Sequence, residues 1–164
     1  MPSQSRFGGE GVREQSRLFW VRTRFGFGGD GSTQKGGNVL EDEMLTGRII
    51  GAAVQVHREL GPGFLESIYE AALAIELENR AIRFERQFRV PVTYQKRKVG
   101  AHRLDLVVAN KVVVEIKAVQ ELQSAFFRVV RSYMRATQLN RGLILNFGTP
   151  LLEVKRVFPS LPRR

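Results

Sequence analysis

From Leu45 onward the apolar residues of this chain fall into regular periods. Leu45, Ile49, Ala53, Val56, His57 and Leu60 recur at steps of three and four, which predicts one face of a helix, and Gly61-Pro62-Gly63 ends it. A second helix is predicted over about Leu65 to Asn79, with Ile68, Tyr69, Ala72, Leu73 and Leu77 on its apolar side. The period then changes to two. Phe84, Phe88, Val90, Val92 and Tyr94 are expected on one side of a strand and Glu85, Gln87, Arg89 and Thr93 on the other, with Pro91 placing that strand at a sheet edge or a bulge.

Two further strands follow, about His102 to Val108 and Val112 to Lys117, joined at Ala109-Asn110-Lys111. Positions 104, 106 and 108 must share a face with 112, 114 and 116, so facing residues have numbers with an even sum. A three-residue loop centred on Asn110, a residue that tolerates the left-handed conformation, satisfies this and sets Asp105 directly opposite Glu115. A third helix is expected over about Leu122 to Thr137, carrying Leu122, Phe126, Val129, Val130, Tyr133 and Met134. After it come a buried strand, Gly142 to Phe147, and a last strand around Leu152 to Phe158. The order is helix, helix, three strands, helix, two strands, which predicts an α/β fold of the α+β kind with a mixed sheet.

The strand Val112 to Lys117 carries an anomaly. Val112, Val114 and Ile116 point to one face, while Glu115 and Lys117 share the other. Opposed carboxylates on neighbouring strands stand roughly 5 Å apart at Cβ and destabilise a sheet unless something offsets them. Lys117 contributes, and a divalent cation does so better. Mg²⁺ takes one or two protein carboxylates and leaves its other positions to water and phosphate, so Asp105 and Glu115, with the carbonyl of Ile116 as third ligand, suit Mg²⁺ or Mn²⁺. Such an ion activates water and offsets charge on a phosphate, and the Lys117 ammonium would position the water or stabilise the transition state. Phosphodiester hydrolysis is the chemistry these residues suggest. A structural carboxylate–lysine cluster, or a solvent-facing sheet edge, explains the same spacing without catalysis.

Composition adds a partner. With 26 Lys and Arg against 16 Asp and Glu, the formal charge is +10, which favours polyanions such as nucleic acid. Lys96, Arg97 and Lys98 are expected in a turn, where they could touch backbone phosphates. Arg128, Arg131 and Arg135 recur along one side of the third helix and could line a phosphate groove; a solvated cationic face is the plainer reading. His57, on an apolar helix face, is expected to be a satisfied, partly buried residue, and His102 lies on the Leu104 face, away from Asp105.

The 164 residues suit one ordinary domain. Residues 1–40 hold most of the 16 glycines and no lasting period, so a flexible Gly/Arg-rich extension is expected there, with the domain at 41–164. The extension lacks a secretory pattern, because Arg22 and Arg24 interrupt its apolar run. The absence of cysteine excludes disulfides, thiolate zinc sites and cysteine nucleophiles, and suits a reducing cytoplasm. No apolar run reaches the roughly 18 to 20 residues that span a bilayer, so no membrane role is expected.

The run Gly63-Phe64-Leu65-Glu66-Ser67-Ile68-Tyr69 matches the signature of the GxxExxY family, and Leu45 through Val157 resembles that family over nearly its whole length. Further matches are Ile49-Ile50-Gly51-Ala52-Ala53, His57-Arg58-Glu59-Leu60-Gly61-Pro62-Gly63, Arg103-Leu104-Asp105-Leu106, Val114-Glu115-Ile116-Lys117-Ala118-Val119 and Asn146-Phe147-Gly148. The family in turn resembles the PD-(D/E)xK nuclease superfamily. That implies a restriction-endonuclease-like αβββαβ core, here with an extra N-terminal helix, and a metal-dependent nuclease. The implied site is Glu66 on the helix before the sheet, Asp105 and Glu115 as metal ligands, and Lys117 as catalytic lysine. The implied partner is nucleic acid, DNA favoured over RNA, and a homodimer is compatible although no dimer surface is marked. Tyr69 is expected to pack on the sheet. The third helix departs from the family pattern, which has polar residues, a His and a Gln among them, where this chain has Phe126 and Val129. A catalytically inactive nuclease-fold module that binds nucleic acid is therefore the alternative.

Overall fold

The computed structural model describes residues 39–160, all of them within one unit spanning Gly36–Arg164. The expected flexible extension, 1–40, lies outside the described residues except for Val39 and Leu40, which open helix α1 (Val39–Leu60). The helix begins earlier than its apolar period does. Glu41 and Asp42 occupy its first turn, where the macrodipole favours acids, and both meet Lys111 from the loop between the second and third strands, at 3.1 and 3.7 Å. A start held by an ion pair to so distant a residue leaves no local apolar signal. At the other end Gly61, at φ 67°, closes the helix by donating its N–H to His57 O at 2.9 Å.

Helix α2 (Glu66–Asn79) follows, then strands β1 (Phe84–Tyr94), β2 (Arg97–Val108) and β3 (Val112–Lys117), helix α3 (Ser124–Thr137), and strands β4 (Arg141–Asn146) and β5 (Glu153–Val157). This is the element order expected from the sequence. The sheet runs β1-β2-β3-β4-β5; β3 and β4 are parallel, joined by α3, and the other neighbours are antiparallel. Pro91 accordingly lies on an edge strand.

Each face of the sheet has its own core. Ile49, Ala53 and Val56 of α1 and Tyr69, Leu73 and Leu77 of α2 cover Leu106, Val108, Val112, Val114, Ile116, Leu143 and Leu145 on one face. On the other, Val130 and Met134 of α3 cover Val90, Leu104, Val107, Val113, Ile144 and Val157. The β3 and β4 sequences are apolar on both sides because helices bury both.

Two expectations about β1 and β2 need correction. Phe84 packs on the α1/α2 face whereas Phe88 packs on the α3 face, and Leu104 likewise parts from Leu106. The alternation breaks where Gln87, at φ 51°, stands across from Asp105 without being paired to it. The basic triplet is also shifted: Gln95 and Lys96, both at positive φ, make the hairpin turn, and Arg97 and Lys98 already belong to β2, paired with Tyr94 and Thr93. No helix of the described residues is long and apolar enough to cross a membrane.

Candidate active site

The site begins where the sheet divides. β2 and β3 pair only at Leu106↔Val114, Val107↔Val113 and Val108↔Val112, in the register that parity requires. The turn between them has Ala109 and Asn110 at positive φ, and Lys111 N donates to Val108 O at 2.9 Å. Beyond these pairs β2 stays with β1 and β3 with β4, so a gap opens at Asp105 and Glu115. Asp105 Oδ2 bridges it by accepting the Ile116 N–H at 2.8 Å.

Four predicted residues come together around this gap. Lys117 Nζ donates to Glu115 Oε1 at 2.8 Å and to the Ile116 carbonyl at 3.0 Å, and lies 3.7 Å from Glu66 Oε2. Glu66, the first residue of α2, accepts the Ala118 N–H through Oε1 at 3.2 Å. A spacing of three residues explains its company: Tyr69, buried against Phe147 with ring centroids 4.4 Å apart, donates its hydroxyl to Gly61 O at 2.7 Å and accepts the Phe64 N–H at 3.1 Å. The α1–α2 corner is thereby fixed, and with it the start of α2.

Electrostatics leave the cluster short of positive charge. Three carboxylates face one ammonium, a formal −2 when all are ionised. Burial pushes Glu115 up to about 7, Asp105 adds to the rise, and Lys117 opposes it without prevailing. Asp105 is raised as well, chiefly by burial and against the Ile116 hydrogen bond. Burial disfavours the Lys117 ammonium, but its bond to Glu115 and the neighbouring carboxylates hold it above the ordinary lysine value. Tyr133, from α3, is raised by burial and then by Glu115 and Asp105. Glu115 is only 7% exposed, and its Oε2 is buried with no hydrogen-bond partner. An orphaned buried carboxylate oxygen within a net-negative cluster fits a divalent cation, with Asp105, Glu115 and the Ile116 carbonyl as the groups that would hold it. No group of three or more Asp, Glu, His or Cys among the described residues gathers into a metal cage. Mg²⁺, which draws on few protein carboxylates, asks for none.

Other side chains build the surroundings. The ring of Phe126 lies 5.3 Å from Lys117 Nζ, in cation–π range. Asn146, fully buried, accepts the N–H groups of Val119 and Gly148 and donates to Val119 O and Glu153, so all its polar capacity is used to shape the chain after Lys117. Gly148 lies so near that segment that a Cβ would meet Val119 N at 2.4 Å. His57 is satisfied as expected, its Nε2 donating to Thr149 O at 2.9 Å, and His102 packs edge-on against Tyr133.

Glu70 and Gln87 escaped the sequence reading. Buried Glu70 accepts from Arg86 Nε at 2.9 Å and from the Gln87 side chain, and so secures β1 at its irregular residue, across from Asp105. The available signal was an acid four residues after Glu66, on the helix side that carries Leu73 and Leu77. The α3 arginines lie elsewhere. At 100° per residue they fall on the flank opposite Phe126 and Tyr133; Arg128 donates to Ser124 Oγ and Arg131 to Phe158 O, and Arg135 is exposed.

A sheet that divides over two carboxylates and a lysine, with a helix acid beside them, is the architecture of a nuclease core. The chain belongs to the PD-(D/E)XK nuclease superfamily, whose model matches residues 43–157. Among solved structures, SSO0001 is similar at 13% identity and a TM-score of 0.49, over 58% of this chain and 50% of its own. This chain thus spans about half the length of SSO0001. An alkaline exonuclease from Laribacter hongkongensis is similar at 11% identity and a TM-score of 0.41, over 73% of this chain and 82% of its own. No curated protein matches.

Proposed function

We propose that residues 41–164 form a divalent-metal-dependent nuclease that hydrolyses phosphodiester bonds of nucleic acid, DNA in preference to RNA. The observation that carries this reading is the orphaned Glu115 Oε2 in a cluster with more negative charge than Lys117 balances. Nucleases of the superfamily generally use divalent metals. Bound by Asp105, Glu115 and the Ile116 carbonyl, a Mg²⁺ or Mn²⁺ ion would supply a Lewis acid for the phosphoryl oxygens. The chain's own groups do the rest. Asp105 is aimed by the Ile116 N–H; Lys117, aimed by Glu115, presents its ammonium to the attacking water or to a phosphoryl oxygen. Glu66 orients Lys117 from the third side. Lys96, Arg97 and Lys98 add sequence-blind affinity for phosphates. The Gly63 to Tyr69 run supports placement in the GxxExxY branch, and a cysteine-free chain suits the cytoplasm.

Phe126 supports a second reading, in which the fold binds nucleic acid and no longer cuts, because an aromatic ring occupies the approach to Lys117. Cleavage of single- and double-stranded oligonucleotides with Mg²⁺, Mn²⁺ or EDTA separates the two. Metal-dependent cutting that Lys117→Ala abolishes, with the fold retained by circular dichroism, is the expected result. Salt-sensitive binding without cutting under any metal overturns the nuclease in favour of the binding module.

A further inference from the structure

The β1–β2 hairpin reaches well past the three residue pairs that tie β2 to β3. On it, Arg89 and Arg103 are direct cross-strand partners, both exposed, and neither side chain makes a hydrogen bond or ion pair among the described residues. Facing Cβ atoms in such a pair stand about 5 Å apart, and like charges there are destabilising. The repulsion is not relieved by sliding the strands. The neighbouring pairs Phe88↔Leu104 and Val90↔His102 turn to the opposite face, where Val90 and Leu104 are buried under α3 and His102 packs on Tyr133. A one-residue slip would bring that apolar set to the surface.

We propose that Arg89 and Arg103 form a binding site for the phosphate backbone of a nucleic-acid strand, which runs from the divided sheet out along the hairpin. Two guanidinium forks held side by side match the oxygens of a phosphodiester better than ammonium groups would. Arg103 stands two residues along β2 from Asp105, so the pair adjoins the point where the sheet divides. Farther out Lys98, Arg97 and Lys96 continue the cationic line, and exposed Tyr94 at the turn offers a surface on which a base can stack. The α3 arginines are less suited, since Arg128 and Arg131 already have partners and face away from Phe126 and Tyr133.

The inference takes its direction for the strand from the nuclease reading, but its test does not need cleavage. Fluorescence anisotropy of a labelled single-stranded oligonucleotide, in EDTA and across a salt series, gives the number of phosphates neutralised. Arg89→Gln and Arg103→Gln should each flatten the log–log salt slope by about 0.7, while Arg156→Gln on β5, at the opposite sheet edge, leaves it unchanged. Both arginine variants should also melt above the wild type without oligonucleotide, because the repulsion is gone. Slopes equal to the wild type, absence of binding by the wild type, or a loss of thermal stability in both variants overturns the arginine site. Mn²⁺-dependent cleavage measured on the same proteins keeps the two readings apart. Cutting with unaltered slopes removes this site and spares the nuclease; altered slopes without cutting do the reverse.

Discussion

The backbone N–H of Ile116 on β3 is bonded to the Asp105 carboxylate of β2, at 2.8 Å, just beyond the last pair of the two strands, Leu106↔Val114. One side chain therefore performs two tasks, satisfying a backbone donor and contributing charge to the cluster.

Substitution separates those tasks. Asp105→Asn retains an oxygen acceptor and removes a repelling charge, so its stability to urea should equal or exceed that of the wild type while metal-dependent cleavage is lost. Asp105→Ala leaves the Ile116 N–H unsatisfied, and a cost of about 1–3 kcal/mol is expected in the same urea titration. Equal stabilities for the two variants would show that the hydrogen bond does not matter.

Glu115 makes metal-free stability depend on pH. Its folded-state value, about 7, stands above the ordinary 4.5, so the folded protein binds this proton more tightly than the unfolded chain does. The contribution is present below pH 4.5 and is lost as pH rises toward 7. The loss amounts to about 3 kcal/mol. Urea midpoints measured in EDTA between these limits should fall for the wild type and fall less for Glu115→Gln.

Phe126 caps Lys117 from α3. Phe126→Gln should raise the cleavage rate several-fold by freeing the ammonium, at a cost of about 2 kcal/mol in stability from lost apolar burial. A rate that falls with the fold intact would make the aromatic ring part of the working site.

Gly148 admits no side chain. Its Cβ would stand 2.4 Å from Val119 N and 2.5 Å from Val119 O, backbone atoms that Asn146 already holds. Gly148→Ala is expected to destabilise by about 3 kcal/mol. The same variant should lose cleavage beyond what unfolding explains, because the displaced segment follows Lys117 directly.

Parity and one turn residue were enough to set the β2/β3 register, since a strand has a period of two and the Val112–Ile116 face had to be buried; the pairing stops at Leu106↔Val114, before Asp105 and Glu115, which had been expected directly opposite each other. Parity failed at Phe84 and Leu104, because it assumes unbroken alternation and Gln87 adopts positive φ. That conformation goes with a tertiary bond to Glu70, sixteen or more residues away, which no local window contains. The start of α1 was obscured similarly, by Lys111. Glu115 and Lys117 were legible as charges out of place on an apolar strand; Phe126 stood out only as a departure from the family pattern, and its contact with Lys117 was hidden because an aromatic residue on an amphipathic helix reads as core.

The Tyr69 hydroxyl grips both ends of the Gly61 to Phe64 corner while its ring lies inside the main core. Heat that loosens the interior therefore also releases the leading turn of α2 and the acid it carries. Loss of chemistry and loss of fold should share one transition on warming, with no temperature range in which an intact globule carries a disordered centre.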